Sequence, residues 1–224
     1  MVSVIILAFN EEATVAGVVR AALTHPSVKE VIVVDDGSCD ETASRAREAG
    51  AHTITLPSNR GKAGAMGEGV ARAMCDVILF LDADCEGFTH ETISAIIDPV
   101  LRGDYAMYVG INSRRSFWLN RILHFFPILS GDRAMRKVVW EAVPQEYKER
   151  FQIEIALNYF SKQFSTGAGF EVIHGVRHIV KERKHGLVIG FVRRLLMIKD
   201  ILVIAIRLYI VRNIKGLYAK ALPF

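Results

Sequence analysis

Cysteine is scarce. Cys39, Cys75 and Cys85 are the only three in 224 residues, an odd number with no CxxC pair and no histidine at metal-ligand spacing beside them. That pattern makes reduced cytosolic thiols the expectation over a disulfide framework. No run of about 20 uncharged apolar residues occurs, so a single membrane-spanning helix is not expected. Repeats and linkers are missing too, and 224 residues suffice for one good core but are few for two. A secretory leader is not expected either: no basic region precedes the first apolar run, and Asn10 and Glu11 interrupt it early. Residues 2–7 read instead as a first strand.

What is present is an ordinary globular composition, 51% hydrophobic and 23% charged, with a somewhat high mean hydropathy of +0.25. The net charge of +4 suits anionic partners. No recognisable nucleic-acid module organises the basic residues, so nucleic acid is not expected among them. The excess hydropathy concentrates in residues 187–211. There Arg193, Asp200 and Arg207 share one helical face, while Leu195, Leu196, Ile198, Leu202, Val203 and Ile206 lie largely elsewhere, the pattern of an amphipathic helix lying in an interface. Such a tail fits peripheral contact with a membrane surface, at the cytoplasmic face, or a homo-oligomer contact. The alternative is a helix packed on the protein's own core.

Through about residue 110 the pattern alternates. Apolar runs at 2–7, 31–34, 52–56 and 77–81 are separated by helix-length stretches at 11–23, 40–49 and 63–74. Strands rich in Val and Ile alternating with helices predict βαβ units, hence an α/β fold with a mainly parallel sheet flanked by helices. In such sheets ligands sit beyond the carboxyl ends of the strands. The expected organisation is one domain over 1–186, divided into a first half 1–110 and an acceptor-binding half 111–186, followed by the apolar and basic tail 187–224.

The chemistry-bearing residues cluster at those strand ends. Asp82-Ala83-Asp84 follows a buried run and aims two carboxylates at one turn, where hard oxygen ligands suit Mg²⁺ or Mn²⁺; a solvated turn is the alternative. Asp35-Asp36-Gly37-Ser38 ends another strand, with a carboxylate able to accept from a base N–H or a ribose hydroxyl, or with Ser38 or Asp40 as a helix N-cap.

Four segments together resemble the family 2 glycosyltransferases: Leu7-Ala-Phe-Asn-Glu11, Asp35-Asp-Gly-Ser38, Asn59-Arg-Gly-Lys-Ala-Gly-Ala65 and Asp82-Ala-Asp84. The resemblance covers about the first 85 residues. It implies a GT-A, Rossmann-like fold and a metal-dependent transferase that moves a sugar from a nucleoside-diphosphate sugar to an acceptor. It further implies that Ala8, Phe9, Asn10, Glu11 and Asp36, with Lys62, Asp82 and Ala83, bind the nucleotide sugar. Lys62 lies near donor or acceptor phosphates, unless it is a solvated loop lysine. Asp84 and Asp82 handle the divalent metal. Two departures stand out: the usual proline before the Asn-Glu pair is absent at Leu7-Ala8, and Ala63 replaces a second glycine.

The second half is similar to relatives that use polyprenyl phosphates, glycolipids or phosphoglycerate. In Ser130-Gly131-Asp-Arg133-Ala-Met-Arg136 the two guanidiniums are candidates to grip an acceptor phosphate, or are surface arginines. Glu154, alone in an apolar helical stretch, is a candidate to orient or deprotonate an acceptor hydroxyl, and the alternative is a partly exposed helix glutamate. His178, in a late basic segment, is the candidate third metal ligand, whereas His174 is expected to pack at a strand end. The expected acceptor is a membrane lipid or polyprenyl phosphate, with a small phosphorylated acceptor such as phosphoglycerate as the alternative. A nucleotidyltransferase is disfavoured because Leu7–Glu11 is not the glycine-rich loop that class uses, and a non-catalytic sugar-nucleotide-binding protein is less expected still.

Overall fold

The computed structural model describes residues 1–111, 131–148, 152–179 and Leu208. Each apolar run becomes a strand: β1 (Val2–Ala8), β2 (Val28–Asp35), β3 (His52–Thr55) and β4 (Val77–Asp82). Between them lie α1 (Val15–Leu23), α2 (Thr42–Glu48) and α3 (Gly61–Arg72). Then come the short β5 (Cys85–Glu86), α4 (His90–Leu101), β6 (Met107–Ile111), β7 (Arg133–Arg136), α5 (Lys137–Glu141), α6 (Gln152–Ser161), β8 (Ala168–Val172) and β9 (Arg177–His178).

Among the described residues seven strands form one sheet in the order β3-β2-β1-β4-β7-β6-β8, and β5 pairs with β9 in a separate ribbon. β1, β2, β3 and β4 are mutually parallel, β7 runs antiparallel to both β4 and β6, and β8 is parallel to β6. The sheet is therefore mixed and mainly parallel, with helices on both faces. β7, from the second half of the chain, sits between β4 and β6 from the first half, so strands of the two expected halves interleave in one sheet.

Period-two alternation along the central strands sends side chains to two cores. On one face Ile5, Ile32, Val34, Ile78 and Phe80 pack with Met66 and Val70 of α3, Val139 and Trp140 of α5, and Leu157 of α6. On the other, Val4, Ile6, Val31, Val33, Leu79 and Leu81 pack with Val15, Val18 and Val19 of α1 and with Ile93, Ile96 and Ile97 of α4. Leu208 is fully buried in the first core. The rest of the expected tail, and Ser130, lie outside the described residues.

The strand order fixes where a site can form. From β1 the chain moves outward to β2 and β3, then returns to β4 on the other side of β1. The crevice between the carboxyl ends of β1 and β4 is thus the switch point of the sheet, which is where open α/β sheets bind ligands.

Candidate active site

At the end of β1 the backbone leaves the sheet through Asn10, whose φ of 56° is left-handed, a region that asparagine tolerates better than most residues. The β2–α2 loop holds that turn in place. Asn10 N–H donates to Ser38 Oγ (2.8 Å), Cys39 N–H donates to the Asn10 side-chain oxygen (2.9 Å), and Glu11 N–H donates to Thr42 Oγ1 (2.7 Å). Gly37 supports the same loop at φ 77°; a Cβ there would stand 2.9 Å from the Ser58 carbonyl carbon, closer than packed atoms allow.

Asp36 is buried and spends both carboxylate oxygens on the loop before α3, accepting from Arg60 N–H (2.7 Å) and Gly61 N–H (2.9 Å). It anchors the start of α3, the helix that carries Lys62, and also lines a cavity of about 310 Å³ at the switch point. Ala8, Phe9, Glu11, Lys62, Asp82, Ala83 and Asp84 line that cavity with it. Eight of the residues expected at the nucleotide-sugar site therefore line one cavity or, like Asn10, shape its rim.

Below the cavity lies a cluster of charges. Lys62 Nζ is 2.7 Å from Glu154 Oε1 and 3.2 Å from Asp82 Oδ1. Burial opposes the Lys62 charge, but the Asp82 and Glu154 carboxylates outweigh it and hold the ammonium well above its usual range. Burial likewise works to raise the Glu154 carboxyl, and the Lys62 ammonium and Arg133 guanidinium together bring it below its ordinary value. Arg133 is fully buried and donates weakly to the Glu154 backbone carbonyl at 3.4 Å. Burial lowers its pKa, and the Glu154, Asp82 and Asp132 carboxylates partly offset that. Asp132, also buried, accepts from the Asp82 N–H at 3.2 Å. Gly131 stands against the Asp82 carboxylate so closely that any Cβ would overlap it.

The β5–β9 ribbon builds the third part. Its register sets Cys85 opposite His178, and Ile179 N–H donates to the Asp84 carbonyl (2.8 Å). The result brings His178 Nδ1 to 3.2 Å from Asp84 Oδ1. Burial works to raise the Asp84 carboxyl, and its hydrogen bond with His178 and the histidine's charge bring it down instead. The same hydrogen bond raises His178. Cys85 Sγ lies 3.2 Å from His178 Nδ1. The pairing spans the sequence, so no local spacing reveals it.

Other expected residues fall elsewhere. Arg136 is exposed and pairs with Val77 at the opposite end of β4 from Asp82, about 16 Å away at the rise of a strand; it does not join the cavity. Arg133 is neither exposed to an acceptor nor a surface arginine. His174 is exposed just past β8. Asp132 and Cys85 were not singled out from sequence. Asp132 sits inside the Gly131–Arg136 segment and was legible there only as a neighbour of candidate arginines.

Comparison with known proteins places the chain. Residues 3–165 match the model of Glycosyl transferase family 2, and the chain belongs to that family. The glucosyl-3-phosphoglycerate synthase of Mycobacterium tuberculosis is 31% identical over 139 residues, 58% of this chain and 41% of that protein. The 4,4'-diaponeurosporenoate glycosyltransferase of Staphylococcus haemolyticus is 36% identical over 116 residues, 49% of this chain and 31% of that protein. The chain thus spans less than half the length of these curated relatives. The crystal structure of the mycobacterial synthase in complex with Mn²⁺, UDP-glucose and phosphoglyceric acid aligns with a TM-score of 0.74 at 21% identity, covering 92% of this chain and 79% of that one. That likeness shows the shared fold, the GT-A, Rossmann-like arrangement.

Proposed function

We propose that the protein transfers a sugar from a nucleoside-diphosphate sugar to a small phosphorylated acceptor of the phosphoglycerate class, with a divalent cation at Asp84 and His178. The observation that carries this reading is the approach of Asp84 and His178 to 3.2 Å at the cavity that Ala8, Phe9, Glu11 and Asp36 line. The mycobacterial synthase, seen with UDP-glucose, Mn²⁺ and phosphoglyceric acid, supports the small acceptor better than the polyprenyl phosphate or membrane lipid expected first.

The donor set fits the cation: carboxylate oxygen from Asp84 and imidazole nitrogen from His178, with Asp82 two residues away, suit Mn²⁺ or Mg²⁺. When bound, such an ion neutralises the diphosphate and stabilises it as a leaving group. The protein's own groups do the rest. Asn10 and its captured loop shape the rim where the nucleoside enters, and Asp36 fixes the start of α3. Lys62, kept protonated between two carboxylates, supplies a fixed positive charge beside the space the phosphates occupy. In this reading Glu154 holds Lys62 in place rather than deprotonating the acceptor, because a carboxylate held below its ordinary pKa and engaged by an ammonium is a poor base.

A second reading, transfer at a membrane surface, rests on the composition of residues 187–211. Among the described residues no helix is long and apolar enough to cross a membrane. The deciding experiment incubates the full chain and Mn²⁺ with UDP-glucose and either phosphoglycerate or polyprenyl phosphate, with vesicle flotation alongside. Product with phosphoglycerate, lost in Asp84→Ala, is the expected result. Product only with the polyprenyl phosphate transfers support to the membrane reading. No turnover or binding of any nucleotide sugar, with Asp84→Ala identical to wild type, removes both.

A further inference from the structure

Cys85 is buried beneath Asp84, and its thiol is not used by the transfer reaction proposed above. It is also not an isolated cysteine. Its Sγ, the Asp84 carboxylate and the His178 ring present three potential ligand atoms that all lie within 4.8 Å of one another. The separations are 3.2 Å from Sγ to His178 Nδ1, 3.7 Å from Sγ to Asp84 Oδ1, and 3.2 Å from Nδ1 to Oδ1.

Those lengths describe one face of a coordination tetrahedron. Zinc bonds sulfur at about 2.3 Å and nitrogen or oxygen at about 2.0–2.1 Å, so tetrahedral angles require S···N and S···O edges of about 3.6 Å and an N···O edge of about 3.4 Å. All three edges come within a few tenths of an ångström of these values without moving the backbone. The ribbon holds the arrangement, since Cys85 stands opposite His178 in its register and Ile179 N–H ties the next residue to the Asp84 carbonyl. Cys85 is 1% exposed, whereas the side chains of His178 and Asp84 are 44% and 40% exposed. The thiol therefore approaches from the protein side, and the remaining vertex opens to solvent.

We propose that Asp84, Cys85 and His178 form a three-ligand site for a thiophilic divalent cation, Zn²⁺ foremost, with one coordination position open. A thiolate selects zinc or cobalt over magnesium, calcium or manganese, which prefer oxygen. Coordination through Sγ and Nδ1 replaces the S–H proton and any proton on Nδ1, both of which leave to solvent, and the imidazole ligates as the neutral ring. The site then carries one thiolate and one carboxylate against the dication and is neutral. The carboxylates of Asp132, Asp84 and Asp82 face Cys85, and they are charges that a dication offsets. Because Asp84 and His178 belong both to this site and to the site for an oxygen-preferring ion, the two ions exclude one another. Zn²⁺ is then an inhibitor of the transferase, a consequence that rests on the reading under Proposed function.

The test is optical and needs no substrate. The purified full chain is titrated with Co²⁺, and absorption is read for the visible bands of tetrahedral cobalt and for the intense near-ultraviolet band that only a sulfur–cobalt bond gives. Both are expected in the wild type and are displaced by stoichiometric Zn²⁺ but not by a large excess of Mg²⁺. Cys85→Ser removes the ultraviolet band and weakens Zn²⁺ binding by more than about tenfold, the low end of what losing even an outer-shell partner typically costs. His178→Ala, at a side chain 44% exposed and outside both hydrophobic cores, also abolishes the tetrahedral spectrum, so a folding defect at Cys85 does not decide the result. Cobalt bound without a sulfur band, Zn²⁺ affinity unchanged in Cys85→Ser, or equal displacement by Mg²⁺ overturns the proposal. A sulfur band in a protein that binds no nucleotide sugar leaves this site standing and removes the transferase reading instead.

Discussion

Arg133 offers the sharpest test of how the charge cluster is held together. Among the described residues it faces Glu154, Asp82 and Asp132, and Lys62 is the other cation in contact with Asp82 and Glu154. Among the described residues these two cations thus face three carboxylates. Arg133→Met keeps much of the side-chain volume and leaves Lys62, itself 20% exposed, as the described cation in contact with Asp82 and Glu154. Removing one partner of a largely buried ionic set costs up to about 3–5 kcal/mol, because the remaining charges stay desolvated and poorly compensated. For a chain of this size each kcal/mol moves Tm by about 2–4 °C, which gives a fall of about 6–20 °C. Glu154→Gln leaves two cations facing two carboxylates and retains an amide oxygen for Lys62, so its cost is smaller, about 1–2 kcal/mol. The double variant should be more stable than Arg133→Met alone, since removing Glu154 relieves the excess negative charge. Thermal melts and urea unfolding of the four proteins check the order. If Arg133→Met melts no lower than Glu154→Gln and instead raises only the KM for the acceptor, Arg133 is an acceptor ligand after all and the electrostatic argument fails.

Acid should unfold the protein partly through Glu154. Its folded pKa is depressed below 4.5, so the unfolded chain binds more protons there; the stabilisation is full above about 4.5 and is lost as pH falls through the lower folded value. Lys62→Met should shift that loss to higher pH in pH-dependent urea melts, and an unchanged acid limb would remove the pair from the explanation. Gly131→Ala should displace the Asp82 carboxylate, cost about 1–3 kcal/mol as overpacking does, and weaken Mn²⁺ binding measured by calorimetry; wild-type affinity for Mn²⁺ would show that Asp82 takes no part. Asp36→Asn offers only one acceptor oxygen to the Arg60 and Gly61 N–H groups, so a loss of about 1–3 kcal/mol in urea unfolding is expected, together with weaker nucleotide-sugar binding as the start of α3 loosens.

The strands and helices of the first half were legible because each depends on a short stretch of sequence. Residues 31–34 and 77–81 are apolar on both faces because they are covered on both faces, and the structure extends them only to Val28–Asp35 and Val77–Asp82. The crevice was legible for the same reason: motifs that follow successive parallel strands must emerge on one rim. Asp36 shows the limit of that reasoning. Its place at the rim follows from the strand, but its engagement with two N–H groups of the α3 loop depends on how a segment 24 residues later approaches.

What was not legible is set by partners far apart in sequence. Arg133 and Arg136 look alike in a run of basic residues, yet three positions along a strand between β4 and β6 bury the first among carboxylates and leave the second exposed at the far end. Their fates follow from the insertion of β7 antiparallel into an otherwise parallel region, which no local pattern encodes. Cys85 and His178 are 93 residues apart, and only the pairing of two two-residue strands brings thiol and imidazole together. A metal-ligand search by spacing passes over such a pair because the ligand geometry belongs to the register of the ribbon. A Glu86→Pro change tests this directly: it places a proline in the two-residue strand β5, opposite Arg177, and should disturb the ribbon. Cobalt should then lose its sulfur band although all three ligands remain, whereas an intact band would mean that the ligands find one another without the ribbon.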